Sequence, residues 1–276
     1  MLVANLAAVP AFWLRGRLVK KALAGLATLG ILLVVMSSTP IRWYVYGPWL
    51  AVAAGSVAVA YAEALPRRLR NLRPVVAAVL LSASSTLCVA EARHWWLPRI
   101  SGGSGAPVFV IGDSLSAGTG ADTTVWPEIH ARRSGRRVVN LAEPGATLRS
   151  ALRQAAKLPE GPGILVLEIG GNDLLNGAGA RAFREDLDRL LTIAAGPGRQ
   201  VVMFELPLPP FHAAFGEAQR SLATKHGVTM IPKRCLGAAL GLEGATLDGL
   251  HFSRTGHDYV AEFMARVIRP GTPVTN

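Results

Sequence analysis

Ser114 stands at the end of an apolar run, Val108-Phe109-Val110-Ile111, that stops abruptly in Gly112 and Asp113. A buried parallel strand that ends this way delivers a hydroxyl to the mouth of a sheet, where open α/β folds bind their ligands. A serine by itself is equally well explained as a solvated group or a helix cap. Its meaning depends on whether the chain also supplies a base, an acid to orient that base, and donors for an oxyanion. Asp248-Gly249-Leu250-His251 offers the first two, because three residues on a bent loop can bring a carboxylate against the imidazole it orients. Without a nucleophile, the same pair would be a solvated loop. Gly145 follows a second apolar segment, where a glycine lets the backbone approach a ligand and present its N–H; a plain strand-to-helix turn is the alternative. Asn172, in Gly170-Gly171-Asn172-Asp173, follows a third such segment and could turn its amide to the same mouth or serve as a turn residue.

These residues need a frame, and the pattern between 107 and 270 provides one. Short apolar runs over Val108–Gly112, Arg137–Leu141, Ile164–Ile169, Gln200–Leu206 and Val228–Ile231 read as strands that are apolar nearly throughout. Helical periodicity lies between them, over Val125–Ser134, Thr147–Leu158, Arg181–Ala195 and Phe211–His226, with a last helix over Thr255–Ile268. Such alternation predicts an α/β class fold, a doubly wound and mainly parallel five-stranded sheet covered on both faces. Each candidate residue then falls at a strand end or in a nearby loop.

At this point the sequence resembles the SGNH, or GDSL-type, hydrolase family. Gly112-Asp113-Ser114-Leu115 resembles its first block, Gly145 its second, Gly171-Asn172-Asp173 its third and Asp248-Gly249-Leu250-His251 its last. The likeness covers about residues 107–270 and is strongest to the small bacterial esterase, thioesterase and lysophospholipase group. One departure is Glu143-Pro144 ahead of Gly145, where small or polar residues are more usual. The resemblance implies a three-layer sandwich and an acyl-enzyme mechanism. Ser114 would attack an acyl carbonyl, His251 would carry the proton, and Asp248 would hold the imidazole. The N–H groups of Ser114 and Gly145 and the Asn172 amide would hold the oxyanion. No cofactor and no metal are implied. Leu174, Leu206 and Leu208 are candidates for bordering an acyl pocket, with core packing an equal alternative.

Competing assignments are weaker. No Gly-x-Ser-x-Gly elbow occurs, since Ser116 fills its last position. His257 falls in the final amphipathic helix and is expected at the surface. His130, His212 and His226 lie in or near helices and are expected to be structural or exposed. Asp113 reads as a turn organiser and Asp173 as a cap for the helix that follows it. Cys88 and Cys235 lie in different regions and show no metal-binding spacing.

Charge and hydropathy divide the 276 residues in two. Mean hydropathy is +0.33, and the apolar excess is concentrated in residues 1–100, with spans expected at 22–38, 44–65 and 75–97. Residues 101–106 read as a Gly/Ser linker, 107–270 as the hydrolase domain and 271–276 as a tail. Residues 1–100 hold 11 Lys and Arg against 2 Asp and Glu, a net of +9, whereas 101–276 hold 18 against 16, a net of +2. The folded part therefore lacks the basic footprint of a nucleic-acid binder. Val75–Ala90 alone covers about 24 Å of a ~30 Å hydrocarbon core and needs extension toward Trp95 and Trp96 to cross. A cleavable signal over Lys20–Ser38 would still leave two spans behind it. Arg15, Arg17, Lys20 and Lys21 precede the first span, and Arg67, Arg68, Arg70 and Arg73 separate the second from the third. The positive-inside bias then predicts a multi-pass cell-membrane protein with its catalytic domain outside the cytoplasm, provided the third span crosses. The expected partners are the membrane and a small-molecule or lipid ester. The expected function is a membrane-anchored serine ester hydrolase, with an acyltransferase using the same acyl-enzyme as the alternative and a non-catalytic binding module as a third reading.

Overall fold

A parallel five-stranded sheet, in the order β3-β2-β4-β5-β6, carries the second half of the chain in the computed structural model. The structure describes residues 32, 40, 44, 47–51, 54, 55, 73–92, 94–101, 105–120 and 124–269. They fall in two units, Met1–Trp95 with Leu208–Ala213, and Trp96–Pro207 with Ala214–Asn276.

In the first unit, helix α1 covers Arg73–Ala92. It ends before Trp95 and Trp96, because the backbone turns there: the N–H groups of His94 and Trp95 donate to the carbonyls of Glu91 and Ala92. The expected extension of the third span through residue 97 is therefore not helical. Among the described residues, no helix is long and apolar enough to cross a membrane. The spans expected at 22–38 and 44–65 lie largely outside the described residues, as does the tail at 271–276.

In the second unit, β1 (Ile100–Ser101) pairs in parallel with β7 (Ile268–Arg269), so Ser101, expected to open a flexible linker, is held in register. The main sheet contains β2 (Val108–Gly112), β3 (Val138–Asn140), β4 (Gly163–Glu168), β5 (Arg199–Phe204) and β6 (Thr229–Ile231). Every residue of β2 and β4 is buried, as two-sided cover requires. On one face lie α3 (Trp126–Ser134), α8 (Lys233–Gly241) and α9 (Arg254–Val267). Their Trp126, Ile129, Leu236, Val260 and Phe263 form one core with Val108, Val110, Val166 and Phe204 of the sheet. On the other face lie α4 (Leu148–Ala155), α6 (Ala180–Ala194) and α7 (Ala213–His226). There Phe183 and Phe215 meet edge to face, with ring centres 5.0 Å apart.

The five expected strands are all present, to within a residue or two at each end. Helix α8 was not anticipated, nor were two short helices at strand ends, α2 (Ser114–Ala117) and α5 (Gly171–Leu175). These two are the ones that carry site residues. The chain leaves β2 for β3 on one side and then returns past β2 to β4 on the other. That reversal opens a crevice at the carboxyl ends of β2 and β4, the place where doubly wound sheets hold ligands.

Two buried histidines make the fold acid-sensitive. His257, expected at the surface, is 1% exposed, and its Nδ1 accepts the Trp126 backbone N–H at 3.3 Å. His130 is fully buried, and neither ring nitrogen has a hydrogen-bond partner among the described residues. Burial, with Arg136 nearby, lowers its pKa to about 4, so the folded chain resists a proton that the unfolded chain takes up below about 6.5. The resulting destabilisation is absent well above pH 6.5, grows as pH falls and is complete near pH 4. His130→Leu removes it. The variant's stability advantage in urea denaturation should be greater at pH 5 than at pH 7.5 by about 2 kcal/mol. An advantage independent of pH would show that His130 does not titrate in this way.

Candidate active site

Gly112, Asp113 and Ser114 turn the chain from β2 straight into α2. A Cβ on Gly112 would stand 2.9 Å from both the Glu168 carbonyl oxygen and Ser116 Oγ, so only glycine fits where the two strand ends close. The side-chain amide of Gln154 brackets this residue, accepting its N–H at 3.1 Å and donating to its carbonyl at 3.0 Å. Asp113 caps α2, with Oδ1 accepting the Leu115 N–H at 3.0 Å. It thus organises the turn as expected. Ser114, the first residue of α2, is half-buried at the crevice.

The loop after β3 is tied to this turn. Asn140 Nδ2 donates to the Ser116 carbonyl at 2.8 Å, and the Glu143 N–H donates to the Gly112 carbonyl at 3.2 Å. The loop then reaches Gly145, whose φ of +71° lies in the left-handed region that favours glycine. Glu143 points outward to Lys157 Nζ at 2.9 Å, so its side chain does not crowd the crevice. Among the described residues, neither the Ser114 N–H nor the Gly145 N–H has an acceptor within the chain. Two unspent backbone donors beside a hydroxyl are the minimum of an oxyanion site.

Asn172 sits in the first turn of α5. Its Nδ2 donates to the Ala146 carbonyl at 3.0 Å and to Asp113 Oδ2 at a longer 3.3 Å. Both amide hydrogens are therefore engaged, and donation to a substrate oxygen requires one of these bonds to be exchanged. Asp173 lies inside α5 and does not cap the helix that follows, α6, where Gly179 holds that position; its Oδ2 accepts the Leu148 N–H at the start of α4, at 3.0 Å.

The loop carrying Asp248 and His251 is closed by an antiparallel bridge between Thr246 and Phe252, with the Leu247 N–H donating to the His251 carbonyl at 2.8 Å. Asp248 Oδ1 accepts the N–H groups of Leu250 and His251 at 3.0 and 2.8 Å, and Oδ2 meets His251 Nδ1 at 2.7 Å. The hydrogen bond to the His251 ring, followed by the two backbone N–H groups, holds the Asp248 carboxyl below the usual carboxylate range. It is an anion wherever the imidazole would need one. With Nδ1 turned to Asp248, Nε2 is left to act as a base. A positive charge on His251 would act on Asp113, the residue before Ser114, so the ring lies within electrostatic range of the turn that carries the serine. Among the described residues no hydrogen bond joins Ser114 Oγ to His251; such contacts commonly tighten only around bound substrate.

The apolar candidates divide. Leu174 is half-buried in α5, whereas Leu206 is 4% exposed and packs under Gly170 beside Phe183, as part of the core. Leu208 belongs to the Leu208–Ala213 segment of the other unit. A cavity of about 430 Å³ among Arg99, Arg199 and His226 opens at the amino ends of the strands, the opposite edge of the sheet from Ser114. No group of side chains suited to a metal ion occurs among the described residues.

Sequence reasoning missed the floor of the site. Glu168, Ser116 and Trp126 are all buried there and hydrogen-bonded in series. The signal was available: Glu168 is the one charged residue in Ile164–Ile169, and a charge in a doubly covered strand needs an explanation.

Comparison with known proteins agrees with this geometry. Residues 110–259 match the GDSL-like Lipase/Acylhydrolase family. The chain is 28% identical over 180 residues to the esterase TesA of Pseudomonas aeruginosa, covering 59% of this chain and 88% of that protein. It is 26% identical over 176 residues to thioesterase 1/protease 1/lysophospholipase L1 of Escherichia coli K12, covering 59% and 83%. The crystal structure of TesA superposes with a TM-score of 0.51 at 25% identity, over 58% of this chain and 96% of that one. A lipolytic G-D-S-L family protein from Veillonella parvula gives 0.50 at 18% identity over 59% and 97%, a likeness of fold alone. With a serine at the end of a buried parallel strand, a histidine held by an aspartate and a family match over residues 110–259, the chain belongs to the GDSL-like lipase/acylhydrolase family and is a serine ester hydrolase.

Proposed function

We propose that this chain hydrolyses acyl esters of lipid, lysophospholipid or O-acylated glycan type through an acyl-enzyme on Ser114, from a position at the membrane. The observation that carries the chemistry is the Asp248–His251 pair at 2.7 Å, which fits a base for Ser114 at the end of β2. In the first step Ser114 Oγ adds to the ester carbonyl while His251 Nε2 takes its proton. The tetrahedral oxyanion lies among the N–H groups of Ser114 and Gly145 and the Asn172 amide. His251 returns the proton to the leaving alcohol, water enters by the same route in reverse, and the acid leaves. Asp248 stays ionised throughout, fixing the ring and stabilising the imidazolium.

The names of the relatives, esterase TesA and thioesterase 1/protease 1/lysophospholipase L1, support the acyl-ester class. Membrane attachment is supported by the sequence of residues 1–100, in which apolar stretches alternate with basic clusters. In that placement the hydrolase domain lies outside the cytoplasm, facing lipid and envelope esters.

The reading predicts turnover of at least one member of a panel of short and long acyl esters, lysophospholipids and O-acetylated glycans by the purified chain, without added metal. Hydrolysis of none would contradict it, and transfer to an added alcohol in place of water would make the chain an acyltransferase. For placement, alkaline phosphatase fused after Ile100 should be active, whereas activity confined to a reporter that works only in the cytoplasm would reverse the orientation.

A further inference from the structure

A chain of buried polar side chains runs beneath Ser114, through groups that neither attack, accept the proton nor hold the oxyanion. Its centre is Glu168, the last residue of β4 and 2% exposed, which no lysine or arginine reaches among the described residues. On one side Glu168 Oε2 accepts the Ser116 hydroxyl at 3.0 Å, and Ser116 Oγ accepts the indole N–H of Trp126 at 3.1 Å. On the other side lies Asp113, itself 4% exposed and one residue beyond Gly112, the strand partner of Glu168, so the two carboxyls are near enough to act on each other's ionisation. The backbone joins the same two residues, as the Asp113 N–H donates to the Glu168 carbonyl at 3.2 Å.

Two buried carboxyls in contact, without a cation, cannot both be ionised, so the pair retains a proton. Burial, and then the charge of Asp113, push Glu168 well above the usual range, while burial raises Asp113 only to about 6. Asp113 accepts the Leu115 N–H and the Asn172 amide, which favour its ionised form, so the retained proton rests on Glu168 and is donated to the Asp113 carboxylate. That carboxylate spends its remaining capacity on the site: Oδ1 holds the Leu115 N–H, next to Ser114, and Oδ2 holds the Asn172 amide.

We infer that Glu168 is a positioning residue for the ester hydrolysis, a neutral acid whose proton fixes Asp113 and, through it, the Ser114 turn and the Asn172 amide. The inference rests on the reading of Ser114 as nucleophile. Loss of the proton at alkaline pH would set two carboxylates against each other under the oxyanion site and release both contacts. The other titratable groups near the pair are His251 and Asp173, which act on Asp113 from the crevice and from α5, and His257 of α9, which holds the Trp126 backbone.

Glu168→Gln and Glu168→Leu test this, each checked for folding by its melting curve and assayed on one short acyl ester across pH. Glutamine keeps an N–H for Asp113 and a carbonyl for Ser116 but cannot lose a proton. It should hold kcat within about threefold of wild type at pH 7.5 and sustain it into the alkaline range where the wild type declines. Leucine breaks the chain and should lower kcat by about 10²-fold with KM little changed, the cost of a misplaced nucleophile and donor. A folded Glu168→Gln that loses as much kcat as Glu168→Leu, or whose pH profile overlays the wild type, would overturn the inference. Should the leucine variant fail to fold, the glutamine pH profile alone decides. If Ser114→Ala leaves activity intact, the nucleophile reading falls and this inference with it. If Ser114→Ala abolishes activity while Glu168→Leu matches wild type, only this inference falls.

Discussion

Ser114→Ala should lower kcat/KM for ester hydrolysis by about 10⁴-fold or more, leaving only the acceleration supplied by the oxyanion donors and by binding. Alanine removes the Ser114 hydroxyl and leaves the N–H groups of Ser114 and Gly145, unspent among the described residues, in place. It leaves the Asp113 cap and the Gln154 clamp in place, since these bond the backbone of Leu115 and Gly112. The melting temperature should therefore move little, which separates lost chemistry from lost structure. The neighbouring hydroxyl of Ser116 is fully buried and points to Glu168, so it cannot take over. Steady-state kinetics of the purified variant, beside its melting curve, checks both statements.

His251→Ala should cost nearly as much, and the Ser114→Ala/His251→Ala double variant should be no worse than either single one. Nucleophile and base work as a unit, so removing the second part of a broken unit costs nothing further. Losses that multiplied in the double variant would mean that the two residues act independently. Asp248→Asn should be milder, about 10²- to 10³-fold in kcat, although a buried triad aspartate is typically worth about 10⁴. Asp248 is 55% exposed on its side chain, so water shares the stabilisation of the imidazolium. The asparagine can still accept the Leu250 and His251 N–H groups that shape the loop. What it loses is the anion that the histidine ring faces at 2.7 Å, and its NH2 now donates to Nδ1, which favours the tautomer with its proton on Nε2.

The sheet and the outline of the site were legible in the sequence for one physical reason. A strand buried on both faces must be apolar along its length, so Val108–Gly112 and Ile164–Ile169 announce themselves, and the polar residues that follow must lie at the mouth. The Asp248–His251 pair was legible because three residues on a turn determine the contact locally. Long-range packing was not legible. His257 has the spacing of a surface residue in an amphipathic helix, yet it is buried because α9 lies against α3 and presents its ring to the Trp126 N–H. Leu206 follows a strand as a pocket residue would, but Gly170 leaves the space it fills. Asp173 looked like a local cap and instead serves α4, 25 residues away in sequence. The Glu168–Asp113 contact joins two strand ends that become neighbours only once β4 is laid beside β2. No local pattern encodes such a pairing, although the isolated charge in β4 marks where to look.

The most direct measurement is peptide mass spectrometry of the chain after reaction with a serine-directed phosphonate ester. One equivalent of phosphonyl adduct on the peptide containing Ser114, localised to that residue and formed in step with loss of esterase activity, is the expected result. An active chain that remains unlabelled, or carries its adduct on another residue such as Ser116, would contradict Ser114 as the acyl-transfer nucleophile.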